Sequence, residues 1–243
     1  MKLVESTWLE VEAYLKHASG IIIPCGSTEQ HGPMGLIGTD ALCAELIAGR
    51  VADETSTLVA PALFYSPAPF NTGFPGTLSV SEELFQAMVG EILCCLIAQG
   101  FRSVYFLNGH GANIAPLSRC AANHPPGRTR IRSWWDFPAV DALRRDYYGD
   151  WEGLHATPSE IAITQTRYRA VPAGLAAAPP QALSAAEAAS RAGDRHGHPD
   201  QHRRQFPDGR VGAHSALANP GQGGALLAAA VAAVSEDYAD FVN

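Results

Sequence analysis

Ile21-Ile22-Ile23-Pro24-Cys25 is a short unbroken apolar run, β-branched at its start and closed by Gly26. That pattern predicts a strand buried on both faces, of the kind found in parallel sheets. Thr57 to Leu63 and Ser103 to Leu107 repeat it, whereas Thr129 to Trp134 alternates polar and apolar residues and makes a weaker strand. Between these runs the spacing changes. Asp40 to Glu54 sets Leu42, Leu46 and Ile47 at helical intervals, and Ser81 to Gln99 opens with a serine and two acids and stops before Gly100, a helix start and stop in order. Strands alternating with helices predict an α/β layered fold around a largely parallel sheet. Further on, Ala170 to Ala192 reads as a loop and then a solvated helix, and Gly193 to Gly212 as irregular. Gly223 to Val242 is an Ala-rich amphipathic helix that docks on the core. No internal repeat or linker divides the chain, so residues 1–243 are expected to form a single domain.

Composition narrows the classes of function. Seventeen Lys and Arg against 24 Asp and Glu give a formal charge of −7, which argues against nucleic acid as a partner. The longest apolar runs, Ile92 to Ala98 and Ala225 to Val234, fall short of the roughly 20 residues that span a bilayer. The start of the chain lacks the basic and apolar regions of a signal peptide. A cytoplasmic protein with no membrane span is therefore expected. Five cysteines without a C-x-x-C pair fit reduced core thiols better than a disulfide framework or zinc ribbon. Cys94-Cys95 is expected within the core.

The chemistry concentrates after two of the predicted strands. Gly26-Ser27-Thr28-Glu29-Gln30-His31-Gly32-Pro33 follows the first, with Gly38-Thr39-Asp40 at the start of the next helix. Glu29 and His31 are two apart, so extended backbone aims both side chains to one side. Asn108-Gly109-His110-Gly111-Ala112-Asn113 follows the strand ending at Leu107. In open α/β sheets ligands bind at the carboxyl ends of strands, which is where both clusters should meet. A Glu, an Asp and two His offer mixed oxygen and nitrogen ligands for zinc, manganese or iron. A carboxylate can bridge two ions about 3.5–4 Å apart, and Asp40 is the candidate bridge. The plainer alternative makes each His a turn filler and Asp40 a helix N-cap. Thr157-Pro158-Ser159-Glu160 likewise has the form of a capping box, which requires no metal.

Together these segments resemble the creatininase (creatinine amidohydrolase) family. The resemblance rests on the two clusters, on Gly73-Phe74-Pro75-Gly76-Thr77-Leu78-Ser79, and on His155 with Glu160, with a weaker match at Pro207-Asp208-Gly209-Arg210-Val211-Gly212. It implies a layered αβα fold, a mixed central sheet between helices and a homo-oligomer, commonly a hexamer. It also implies two divalent ions, zinc foremost with manganese or iron as alternatives. Glu29 and His110 would hold one ion and His31 the other, with Asp40 between them and a water or hydroxide held by the pair as nucleophile. His155 would pass a proton to the leaving nitrogen. Creatininases proper complete the second ion with a Glu where this chain has Ala112; other members place one at the position of Glu160, which would then serve as both ligand and catalytic residue.

Two departures argue against creatinine itself as substrate. Leu154 stands where creatininases proper resemble Trp-x-x-Glu-His, and Thr157-Pro158 replaces the Gly of the usual His-Ala-Gly-Glu motif. Trp135 and Trp151, with Trp134, are expected as an aromatic wall against the substrate. His196, His198 and His202 are expected on a solvent-facing or subunit-contact loop. The resulting expectation is a metal-dependent amidohydrolase cleaving a cyclic or non-peptide amide C–N bond of a small molecule. The alternative is a small-ligand-binding protein with a structural metal.

Overall fold

The computed structural model describes residues 1–125, 127–191 and 196–243. Ala192 and Gly193 to Arg195, within the stretches read as a solvated helix and a His-rich segment, lie outside the described residues.

Strand β1 (Gly20–Cys25) is buried along its whole length, as its unbroken apolar run requires. It pairs in parallel with β2 (Leu58–Val59) on one side and β3 (Ser103–Asn108) on the other, and β3 pairs in parallel with β4 (Thr129–Ser133). The sheet order is β2-β1-β3-β4, all parallel, where the resemblance implied a mixed sheet. Strand β2 is shorter than the run Thr57 to Leu63. Pro61 has no N–H to give a ladder, so pairing with β1 resumes only at Leu63, whose N–H donates to Pro24 O.

Alternation along the strands builds two cores. Ile22, Tyr105 and Leu107 face one side, under α2 (Thr39–Thr55), α5 (Pro138–Tyr148) and α9 (Pro220–Val242). Ile21, Ile23, Val104 and Phe106 face the other, under α3 (Glu82–Ala98) and α4 (Ile114–Ala122). This is the αβα layering. Buried on α3 are Phe85, Val89, Leu93 and Leu96, one stripe at helical spacing. Cys94 and Cys95 fall outside that stripe and are exposed, not core thiols; Cys25, Cys43 and Cys120 are buried, and all five are free.

Helix α1 (Trp8–Leu15) starts at a capping box of Thr7 and Glu10. Helix α6 (Pro158–Gln165) starts at another, made by Thr157 and Glu160. Between α6 and α9 lie α7 (Ala185–Arg191), with no buried residue, and α8 (Pro199–Gln205). No helix among the described residues is long and apolar enough to cross a membrane.

Candidate metal centre

The carboxyl ends of β1 and β3, the first turn of α2 and the entry to α6 converge on one point. Asp40 lies in the first turn of α2, whose N-cap is Gly38, so its carboxylate is spared the capping role the sequence left open. Two glycines let the loops close around it. A Cβ on Gly26 would lie 2.1 Å from Ala41 N, and one on Gly109 would lie 2.3 Å from Asp40 O. No other residue type allows that approach.

Asp40 spans the cluster with its two oxygens. Oδ1 is 2.7 Å from His31 Nε2, while Oδ2 is 2.9 Å from His110 Nδ1 and accepts from the Ser27 hydroxyl at 2.8 Å. Glu29 Oε1 lies 3.3 Å from His110 Nδ1 and 3.5 Å from His155 Nδ1, buried and without a hydrogen-bond partner among the described residues. Glu160 Oε1 is 3.8 Å from His31 Nε2. Potential donor atoms fall into three groups, each within 4.8 Å: Glu29, Asp40 and His110; His31, Asp40 and Glu160; Glu29, His31 and His155. Asp40 belongs to the first two.

Each of the three imidazoles also meets a backbone carbonyl. His31 Nδ1 is 3.1 Å from Glu29 O, His110 Nε2 is 2.8 Å from Pro67 O, and His155 Nε2 is 2.7 Å from Gln30 O. A carbonyl oxygen can only accept, so these nitrogens carry the protons and the opposite nitrogens turn toward the carboxylates. Proteins orient metal-binding histidines in the same way. The buried orphan oxygen of Glu29 and this donor set both fit a divalent cation.

Burial opposes charge throughout the cluster, and the neighbours decide the outcome. Burial penalises the Asp40 carboxylate, yet His31 and His110 hold it well below the usual range; His110 and His155 likewise hold Glu29 down. His31 is pushed up to about 10 by Asp40 and Glu160 against its burial. His110 is raised as well, chiefly by Glu29 and Asp40. His155 goes the other way, to about 4, because burial dominates. Burial raises Glu160 to about 8. The cluster therefore holds several protons that a cation would displace.

Glu160 caps a helix and faces the cluster with one carboxylate. Its Oε1 accepts from Thr157 N–H at 2.5 Å and Thr157 Oγ1 accepts from Glu160 N–H at 3.3 Å, completing the capping box, while the side chain faces His31 and Asp40. Capping and ligation are compatible because a carboxylate has about four acceptor sites.

Two residues that the sequence did not single out hold His155 and Glu29 in register. Asn71 Nδ2 donates to Glu29 Oε2 at 2.8 Å, and Gln30 Nε2 donates to Asn71 Oδ1 at 2.7 Å and to Gly209 O at 3.0 Å. Gln30 lay inside the first cluster and could have been suspected. Asn71 had no signal, being one amide in an irregular stretch. The weak motif Pro207 to Gly212 now has a place: Val211 N–H donates to His155 O and Leu154 N–H to Val211 O.

A cavity of about 220 Å³ opens above the cluster, lined by Glu29, Asp40, His110, His155 and Glu160 at its floor. Trp134, Trp135, Leu154, Ile114 and Arg144 form part of its wall. Trp135 thus lines the cavity. Trp151 is not on this wall: its ring lies against His214, with centroids 5.7 Å apart, and it faces a separate groove with Leu183 and Gly212. His202, expected to face solvent, is 2% exposed and packs against Phe70, Phe74, Phe206 and His196. Helix α8 presses this face onto the turn Pro69–Gly73, which explains the burial. His198 remains exposed at the N-cap of α8.

The family model for creatininase, creatinine amidohydrolase, matches residues 4–238. A 3-dehydro-scyllo-inosose hydrolase of Thermotoga maritima is 37% identical over 106 residues, 43% of this chain and 34% of that protein. A mycofactocin precursor peptide peptidase of Mycolicibacterium smegmatis is 33% identical over 108 residues, 42% of this chain and 43% of the relative. The match thus spans less than half the length of either relative. Among solved structures, a manganese creatininase superposes with a TM-score of 0.81 at 21% identity, covering 99% of this chain and 98% of the other. At that identity the superposition speaks for the fold.

Proposed function

The chain belongs to the creatininase family, and from that premise we propose that it is a metal-dependent amidohydrolase cleaving a cyclic or non-peptide amide C–N bond of a small molecule. The observation that carries this reading is Asp40, whose two oxygens face different histidines at the floor of a cavity. Glu29, Asp40 and His110 would hold one divalent ion, and His31, Asp40 and Glu160 a second. Zinc is the first expectation, and the same donors accept manganese or iron. Bound there, the ions supply Lewis-acid polarisation of the amide carbonyl and make water acidic enough to attack at neutral pH.

The remaining work falls to side chains of this chain. His155 keeps its proton on Nε2 against the Gln30 carbonyl, so Nδ1 is available to take a proton and hand it to the leaving nitrogen. That same carbonyl keeps the ring in place. Trp135 gives the substrate an apolar surface to pack on. At about 220 Å³ the cavity is below the roughly 300–1,000 Å³ of drug-sized ligand sites, which favours a small amide over a peptide. Leu154 offers no polar contact, which disfavours creatinine. A homo-oligomer, with a hexamer expected, belongs to the same reading.

The test is hydrolysis of a panel of small amides (creatinine, hydantoins, formamides), with 3-dehydro-scyllo-inosose included because a relative acts on it. Turnover should vanish on chelation and return with zinc or manganese. His155→Ala should keep its metal and lose about 10²- to 10⁴-fold in turnover. Turnover of no amide by metal-replete protein would contradict the proposal, whether or not the nitrogen-free inosose reacts, and turnover of nothing in the panel would favour a ligand-binding protein with a structural metal.

A further inference from the structure

Arg144 is one of two cations on the cavity wall, with Arg191, whose chemistry the proposed reaction does not use. It projects from α5 with its side chain 18% exposed, and its Nε donates to Glu152 Oε1 at 2.8 Å. The Ser159 hydroxyl donates to that same oxygen, so Glu152 is itself held. The guanidinium carbon lies 6.0 Å from the centroid of the Trp134 ring. Asp141 approaches Nη1 only to 4.0 Å, and neither Nη atom makes a hydrogen bond with the described residues. One edge of the guanidinium is thus anchored, and the two outer nitrogens remain available on a wall that also carries Trp135 and Leu154.

A guanidinium fixed at Nε presents its remaining N–H groups as a planar fork that matches a carboxylate. The electrostatics agree with that match. Arg191, also on the cavity wall and held by Gln205 Oε1 at 2.9 Å, gives that wall a second guanidinium. Two guanidinium groups on one wall favour an anion over a neutral ligand. We propose that the substrate is a small amide carrying a carboxylate remote from the scissile bond, and that Arg144 is the specificity-determining residue that binds it. This deepens the amidohydrolase reading and rests on it.

The experiment is calorimetric titration of metal-loaded protein with two matched pairs, N-formylglycine against N-formylglycinamide and pyroglutamate against pyroglutamide. Wild type should bind the carboxylated members about 10- to 100-fold more tightly, the effect of a charge-assisted hydrogen bond. Arg144→Gln should lose that preference while binding the uncharged members as before, since Gln can still donate to Glu152. Arg144→Lys, with the charge but not the fork, should recover part of it. Equal affinity within each pair, absence of binding by both pairs, or a preference that survives in Arg144→Gln because the ions alone hold the carboxylate would overturn the assignment. The two levels separate cleanly: hydrolysis of uncharged amides with no anion preference sinks the role of Arg144 and keeps the hydrolase. An Arg144-dependent preference without turnover of any amide does the reverse.

Discussion

Nδ1 of His155 stands 3.5 Å from Oε1 of Glu29, with both atoms buried and neither carrying a proton of its own. Two electron-pair donors at that distance repel each other, and a cation relieves the repulsion. Around Asp40, the raised His31 and His110 hold protons that a cation would replace. Zinc or manganese at about a hundred times its Kd should therefore stabilise the fold by about 2.7 kcal/mol, a rise in Tm of about 5–10 °C for a chain of this length. Scanning calorimetry with and without the ion measures it. In Asp40→Ala the rise should disappear, and an equal rise in that variant would place the binding elsewhere.

Gly109→Ala tests how the loops are brought together. Its added carbon would meet the Asp40 carbonyl at 2.3 Å, and neither backbone can yield without moving the cluster. A loss of about 1–3 kcal/mol in urea unfolding is expected from overpacking, together with weaker metal uptake. Stability and uptake both at wild-type levels would show that the close approach is dispensable.

Glu160 separates capping from ligation. Glu160→Gln can still accept from Thr157 N–H, so apo-protein stability should change little, whereas metal content should fall toward one ion per chain. Glu160→Ala should lose the cap as well, at about 1 kcal/mol. Unchanged metal content in both variants would leave Glu160 as a helix cap alone.

His202 gives the fold an acid sensitivity. Burial, with the nearby His155 and Arg191, lowers its pKa to about 4, and neither ring nitrogen has a hydrogen-bond partner among the described residues. Unfolded histidine titrates near 6.5. The unfolded chain therefore binds the proton first, and the stabilisation present above about 6.5 is lost as pH falls toward 4. His202→Phe, placed among Phe70, Phe74 and Phe206, should match wild type near pH 8 and exceed it by about 2 kcal/mol at pH 5. Parallel stability curves across that range would count against a buried neutral imidazole.

The parts of the fold legible in the sequence are those whose burial leaves a one-dimensional trace. Strands β1 and β3 are covered on both faces and so read as unbroken apolar runs; the cluster residues are acids and histidines set beside glycines, an arrangement that surface loops rarely need. Glu160 was legible both as a helix cap and as a candidate ligand. Helix α1 was missed because Trp8 and Leu9 are exposed, which blurs its stripe, although the Thr7 and Glu10 box was there to be read. The positions of Trp151 and His202 depend on which side of a loop meets its neighbour. That is decided by Phe70 and His214, residues distant in sequence, and leaves no local pattern. Asn71 is invisible for the same reason.

Metal stoichiometry on protein purified without chelator or affinity-tag metal tests a two-ion site centred on Asp40 most directly. About two divalent ions per chain are expected in wild type and in His155→Ala, with the pair lost from Asp40→Ala. Wild-type protein that takes up no ion even with zinc or manganese added would contradict the account, leaving Glu29, His31, Asp40 and His110 as a buried hydrogen-bonded cluster.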